Sequence, residues 1–253
     1  AYVSGYFTAC YTRAEKSSAA GDSEFTLLSS LLKKPERHNI GIVVGNGNIL
    51  SLLPDLDVDD IILLDIEPAV LYFVFSVRNI ILTAPDNNDF SITKNEINFE
   101  VGKLEDKILS RHHSRLFGCE KKLLGEKHFL SSKLRFEQCK KSLEEKELLP
   151  IMMNVFDREQ MKALAEKLKS ESCRIAFMNL TNISDYDDKY LLIDILRNFH
   201  ITNPCKIVTT SLVGCLSENL SARCYVSTTL AELEANLRYR YERNVSGFSC
   251  MFK

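Results

Sequence analysis

Short apolar runs of strand length alternate along this chain with segments whose apolar residues recur every three or four positions. Residues 40–44 are apolar, mostly β-branched, and run into Gly45, so they read as a buried strand. Residues 61–65 are a second such run. Residues 69–79 then place Val70, Phe73, Val74 and Val77 on one helical face. A third strand is predicted over 148–155. Asp157 follows as a cap for a helix with Met161, Leu164, Ala165 and Leu168 inward. A fourth strand is predicted over 174–180, then a helix over 190–199 carrying Leu192, Ile195, Leu196 and Phe199. A fifth strand is predicted over 206–212 and a sixth over 225–228. The last leads into a helix with Leu230, Leu233, Leu237 and Tyr241.

Parallel strands need crossover helices, and right-handed crossovers wind them onto both faces of a sheet. The expected architecture is therefore a single α/β domain over residues 1–253, with a doubly wound, mostly parallel, Rossmann-like sheet. Two regions fall outside the alternation. Residues 1–34 read as an N-terminal helical segment, with a break at Ser18–Asp22 and a Phe25, Leu28, Leu32 stripe. Near its start Tyr2, Tyr6, Phe7 and Tyr11 form an aromatic cluster suited to core packing or to covering a ligand. Residues 87–147 form a charged insertion after the second strand, longer than an ordinary crossover. Leu104, Ile108 and Leu116, then Phe136, Cys139 and Leu143, suggest two helices there. Such an insertion is either a cap over a ligand site or a solvated helical hairpin.

Composition narrows the function classes. With 32 Lys and Arg against 34 Asp and Glu, the net charge is −2 and no basic patch stands out, so neither nucleic acid nor a membrane surface is an expected partner. No apolar run is long enough to cross a bilayer, and no secretory signal pattern opens the sequence. The eight cysteines show no C-x-x-C spacing and several sit in apolar runs, as buried thiols of a reducing compartment do. The expected location is cytosolic, in the protein's own cell or in a host cell if it is a secreted effector.

The chemistry-bearing stretch is the strand 40–44 followed by Gly45-Asn46-Gly47-Asn48 and an apolar helix start at Ile49-Leu50. Glycines there let the main chain turn tightly and approach a ligand, while a helix start offers N–H groups to polar ligand atoms. Asp65 closes the next strand about twenty residues on, where a carboxylate can accept both hydroxyls of a ribose. A plain tight turn with Asp65 as a helix cap is the alternative.

Val44-Gly45-Asn46-Gly47 with Leu63-Leu64-Asp65-Ile66-Glu67-Pro68 resembles the class I S-adenosylmethionine-dependent methyltransferases. The resemblance spans residues 40 to about 212, interrupted by the insertion. It implies S-adenosylmethionine as cofactor, laid over the carboxyl ends of the first three strands. Gly45, Asn46 and Gly47 would then line its methionine and ribose part. Asp65 would bind the ribose hydroxyls, with Ile66 among the cofactor contacts. Asn154, Val155 and Phe156 fall where the family meets the adenine ring. Asn179, Leu180, Thr181 and Asn182 fall where it places cofactor-facing and substrate-facing groups. A dinucleotide dehydrogenase would carry a third glycine where this chain has Leu50, which makes an NAD-type oxidoreductase the weaker reading. The family usually has an acidic residue two positions before the first glycine, and here that residue is Val43. A non-catalytic methyltransferase fold, binding another protein through residues 87–147, therefore stays open.

The polar loop after the fourth strand supplies candidate catalytic groups. Asp185 is a candidate general base and Tyr186 a candidate substrate-positioning ring, since methyl transfer chiefly requires a placed and, where needed, deprotonated acceptor. A polar loop of helix-capping residues would look the same. No metal site is expected: His112 and His113 are adjacent and diverge on a helix, and no H-x-x-x-H spacing occurs. His128 could approach the ligand site if the insertion caps it. Neither a G-x-S-x-G turn nor a P-loop is present.

Overall fold

The computed structural model describes residues 39–45, 49–85, 89–108, 124–180, 183, 191–212 and 223–235. In chain order, β1 (Asn39–Val44) leads to the short helix α1 (Ile49–Leu52) and a 3-10 turn (Leu53–Asp55). Then come β2 (Asp60–Asp65), α2 (Pro68–Thr83), α3 (Phe90–Ile108), α4 (Lys133–Glu145) and β3 (Leu148–Met152). The chain continues as α5 (Arg158–Ser170), β4 (Arg174–Asn179), α6 (Leu191–Leu196), β5 (Ile201–Leu212) and β6 (Arg223–Thr228).

These strands form one sheet in the order β3-β2-β1-β4-β5-β6. The first five are parallel, and β6 runs antiparallel to β5 at the edge. The strand order reverses at β1, because the chain builds outward through β2 and β3, then returns to the other side of β1 with β4. The register is specific: Val44 lies opposite Leu64, Asp65 opposite Met152, and Val43 opposite Asn179.

Alternating side chains divide the core in two. Ile40, Ile42 and Val44 of β1, with Ile62 and Leu64 of β2, face a layer built from α5 and α6. Val43, Ile61 and Leu63 face the opposite layer, built from α1, α2, α3 and α4. Helices thus cover both faces of a mostly parallel sheet, as the alternating pattern predicts, and the central strands are apolar on both sides for that reason. Gly41 lies in β1 where any Cβ would come within 2.6 Å of Ile61 Cδ1, so the strand and its neighbour pack too closely there for a side chain.

Local signals fix the helix ends. Pro68 opens α2, and the Glu67 side chain accepts the Ala69 amide. Ser132 caps α4 by accepting from the Arg135 amide, and Asp157 caps α5 by accepting from Glu159 and Gln160. α5 ends in a Schellman turn, with Cys173 N–H on the Leu168 carbonyl, Ser172 N–H on the Lys169 carbonyl, and Ser172 at φ 58°.

Several boundaries differ from expectation. β3 stops at Met152 rather than at residue 155, because Asn154 and Asp157 turn the chain into α5. β5 begins at Ile201, five residues early, with an irregular register beside Ile175 and Phe177 that no short apolar run reveals. The third helix starts at Phe90 and buries Thr93, Ile97 and Val101, a stripe that its polar residues conceal. The described part of the insertion is built into the fold, not left as a solvated hairpin. Ile97, Val101, Phe129, Leu130, Phe136, Cys139 and Leu143 all belong to the second core layer. No described helix is long and apolar enough to cross a membrane. The N-terminal segment 1–34 lies outside the described residues.

Candidate functional site

The carboxyl tips of β1 and β2 are joined by a hydrogen bond from the Gly45 amide to the Leu64 carbonyl, at 2.9 Å. Gly45 takes φ 74°, a backbone region that side chains with a Cβ resist, and this is how the chain leaves the strand. The next residue after Leu64 is Asp65, whose own carbonyl accepts the Met153 amide at 2.9 Å. Gly45 and Asp65 therefore sit on adjacent strand tips, at the end of the sheet where ligands of open α/β folds bind.

Asp65 is 9 % exposed. Its Oδ1 accepts the Glu67 amide at 2.8 Å, which draws the chain round toward α2. Burial pushes its carboxyl up to about 7, against the opposing pull of the Glu67 and Ile66 amides, with the Glu67 carboxylate adding a further upward push. A carboxyl so placed takes up or releases a proton near neutrality, and in its charged form it can accept two hydrogen bonds from a vicinal diol.

The other expected contacts fall in different settings. Ile66 is half-buried beside Asp65. Asn154 uses its Oδ1 to accept the Phe156 amide at 2.9 Å, and Val155 is buried in the first core layer with Phe156 packed against it. Asn179, only 1 % exposed, ends β4 beside Val43, and the Leu180 amide donates to the Val208 carbonyl at 2.8 Å. Asn46, Gly47, Thr181, Asn182, Asp185 and Tyr186 lie outside the described residues. So do Asn48, His112 and His113.

Val43, at the position where an acid would be expected, is fully buried in the second core layer. It is a packing residue and supplies no polar group. His128 is likewise in the core rather than at the strand tips. Its Nδ1 accepts the Leu130 amide at 3.1 Å, its ring stacks on Phe129, and the Phe129 amide reaches the Ser51 hydroxyl. Among the described residues no cluster of three His, Cys, Asp or Glu could hold a metal ion.

A concavity of about 270 Å³ is lined by Pro85, Phe90, Thr93, Lys133, Phe136, Glu137 and Lys140. It sits at the far end of α2 from Asp65, across a 16-residue helix or about 24 Å, and so is separate from the strand tips.

One group that reaches α1 has no signal in the sequence. Arg135 of α4 grips Asp55 with both terminal nitrogens, at 2.8 and 2.7 Å, and also donates to the Ser51 carbonyl at 2.7 Å. Arg135 and Asp55 are 80 residues apart, so no spacing rule could pair them. No protein-family model matches the chain, and a search of curated proteins and of solved structures found no match to it.

Proposed function

We propose that the protein binds S-adenosylmethionine at the tips of β1 and β2 and transfers its methyl group to an acceptor not yet identified. The observation that carries this reading is the buried Asp65 carboxyl beside the Gly45 turn on the neighbouring strand, bridged through Leu64. The reversal of strand order at β1 supports it, since such points open a crevice for ligands. The sulfonium cofactor would supply an electrophilic methyl group. Asp65 would hold the ribose diol, Gly45 would let the main chain pass close by, and Ile66, Asn154 and Phe156 would border the base. Asp185 and Tyr186 remain the candidates for deprotonating and positioning the acceptor.

A second reading has its own observation. Val43 is a core residue, so nothing at that position meets the cofactor's ammonium group. A non-catalytic fold that binds a protein partner through residues 87–147 follows if no other group does so.

Isothermal titration with S-adenosylmethionine and S-adenosylhomocysteine separates the two. Binding by wild type, with Asp65→Asn about ten- to a hundredfold weaker, is expected for loss of a charge-assisted contact. No heat at millimolar ligand with folded protein sinks the cofactor reading. A parallel nicotinamide fluorescence titration tests NAD-type binding.

A further inference from the structure

We infer that Arg135, carried by the insertion, is a positioning residue for the strand-tip site, acting through α1. The inference rests on the reading of Gly45 and Asp65 as that site.

The chain that leaves Gly45 enters α1, a helix of only 4 residues. So short a helix has no independent stability, because nucleation costs more than its few hydrogen bonds return. Its carbonyls also lack partners within the helix. Ile49, Leu50 and Leu53 bury against the second core layer, which holds α1 to the sheet, and polar contacts add direction to that packing. Three such contacts reach it from the insertion. Arg135 donates to the Ser51 carbonyl, the Phe129 amide donates to the Ser51 hydroxyl, and Cys139 Sγ donates to the Leu50 carbonyl at 3.0 Å.

Arg135 is the centre of this set. Its side chain is 12 % exposed, its Nε donates to the Lys127 carbonyl, and its two terminal nitrogens engage both oxygens of Asp55, just past α1. A planar fork meeting a carboxylate at two points fixes direction as well as distance, which an ammonium group cannot do. Gly45 is thus tied to β2 through Leu64, and α1, the next described element, is tied to the insertion through Arg135.

The test compares wild type with Arg135→Lys, which keeps the charge and loses the fork, and with Asp55→Asn at a half-exposed position. Three quantities are read: melting temperature, S-adenosylhomocysteine affinity well below that temperature, and amide exchange of residues 50–53 against residues 161–168. Expected is affinity weakened roughly fivefold or more in folded Arg135→Lys, with a smaller loss in Asp55→Asn. Faster exchange confined to residues 50–53 is expected alongside. A purely structural role would lower the melting temperature of both variants and leave their affinity within twofold of wild type, which overturns the inference. If wild type binds no S-adenosylhomocysteine, the site reading fails and this inference falls with it. Binding by wild type with unchanged affinity in the variants refutes the inference alone.

Discussion

Asp65 Oδ1 accepts the Glu67 amide at 2.8 Å, so a buried carboxyl is both the last residue of β2 and the device that turns the chain into α2. Its proton is held more tightly in the fold than in the unfolded chain, at about 7 against 3.8. The sign follows: stability is fully present below about pH 4 and is lost as pH rises through 7. Asp65→Asn keeps the amide's acceptor and removes the titration. Urea unfolding should show wild type losing about 2–3 kcal/mol relative to Asp65→Asn between pH 5 and pH 8, as an upper bound. Equal pH dependence of the two proteins would show that Asp65 is not buried as described. If the charged form alone binds a ribose, ligand affinity should also fall about tenfold from pH 8 to pH 6.

The close approach of β1 and β2 at Gly41 gives a second test. Gly41→Ala drives a methyl group onto Ile61 Cδ1 and should cost about 1 kcal/mol by overpacking. Ile61→Val removes that atom. In the double variant the Gly41→Ala penalty should shrink by at least about 0.5 kcal/mol, a coupling that a denaturant double-mutant cycle reads directly. Strict additivity would contradict the contact.

Ser172 occupies the left-handed region at the end of α5, where glycine has no steric penalty. Ser172→Gly should raise stability by about 0.5 kcal/mol, after the greater freedom of glycine in the unfolded chain is set against the relief. A lower melting temperature for the variant would count against this turn geometry.

Cys139, Cys173 and Cys205 are buried thiols outside any disulfide. Burial pushes the Cys173 and Cys205 thiols up to about 11, so almost no thiolate is present at neutral pH. Iodoacetamide at pH 7.5, followed by peptide mass analysis, should leave all three unmodified in the native protein and modify them after denaturation. Rapid native labelling of Cys173 would mean that the turn from α5 into β4 opens readily.

The strands with continuous apolar runs were the legible part of this fold. β1 and β2 are buried on both faces, so their interiors are almost wholly Val, Ile and Leu, and β4 carries an apolar Ile-Ala-Phe-Met run. The limits of all three lie within a residue or so of those the sequence predicts. The pairing order was not legible, because nothing in a strand's own residues names its neighbour. The antiparallel β6 reads like any other strand for the same reason. Asp65 stood out as an acid closing an apolar run, and Gly45 as the glycine after one. The burial that sets the charge of Asp65 comes from packing over distance, as does the Arg135 grip on Asp55, and neither leaves a local mark. Leu116, which the pattern places on an insertion helix, lies outside the described residues. The Thr93–Ile97–Val101 stripe has no clear signature in the sequence because Lys, Asn and Glu surround it.

The insertion lends Phe129, Leu130, Phe136, Cys139 and Leu143 to the second core layer. It is therefore not an accessory that ancestry or the laboratory could excise and leave the remainder standing. A shorter cousin of this chain would have to resurface one whole flank of its sheet with other apolar side chains. Any search for what the outer surface of α3 or α4 touches must proceed by exchanging single exposed residues such as Phe99 or Leu134, since removing the segment would report only the loss of the molecule itself.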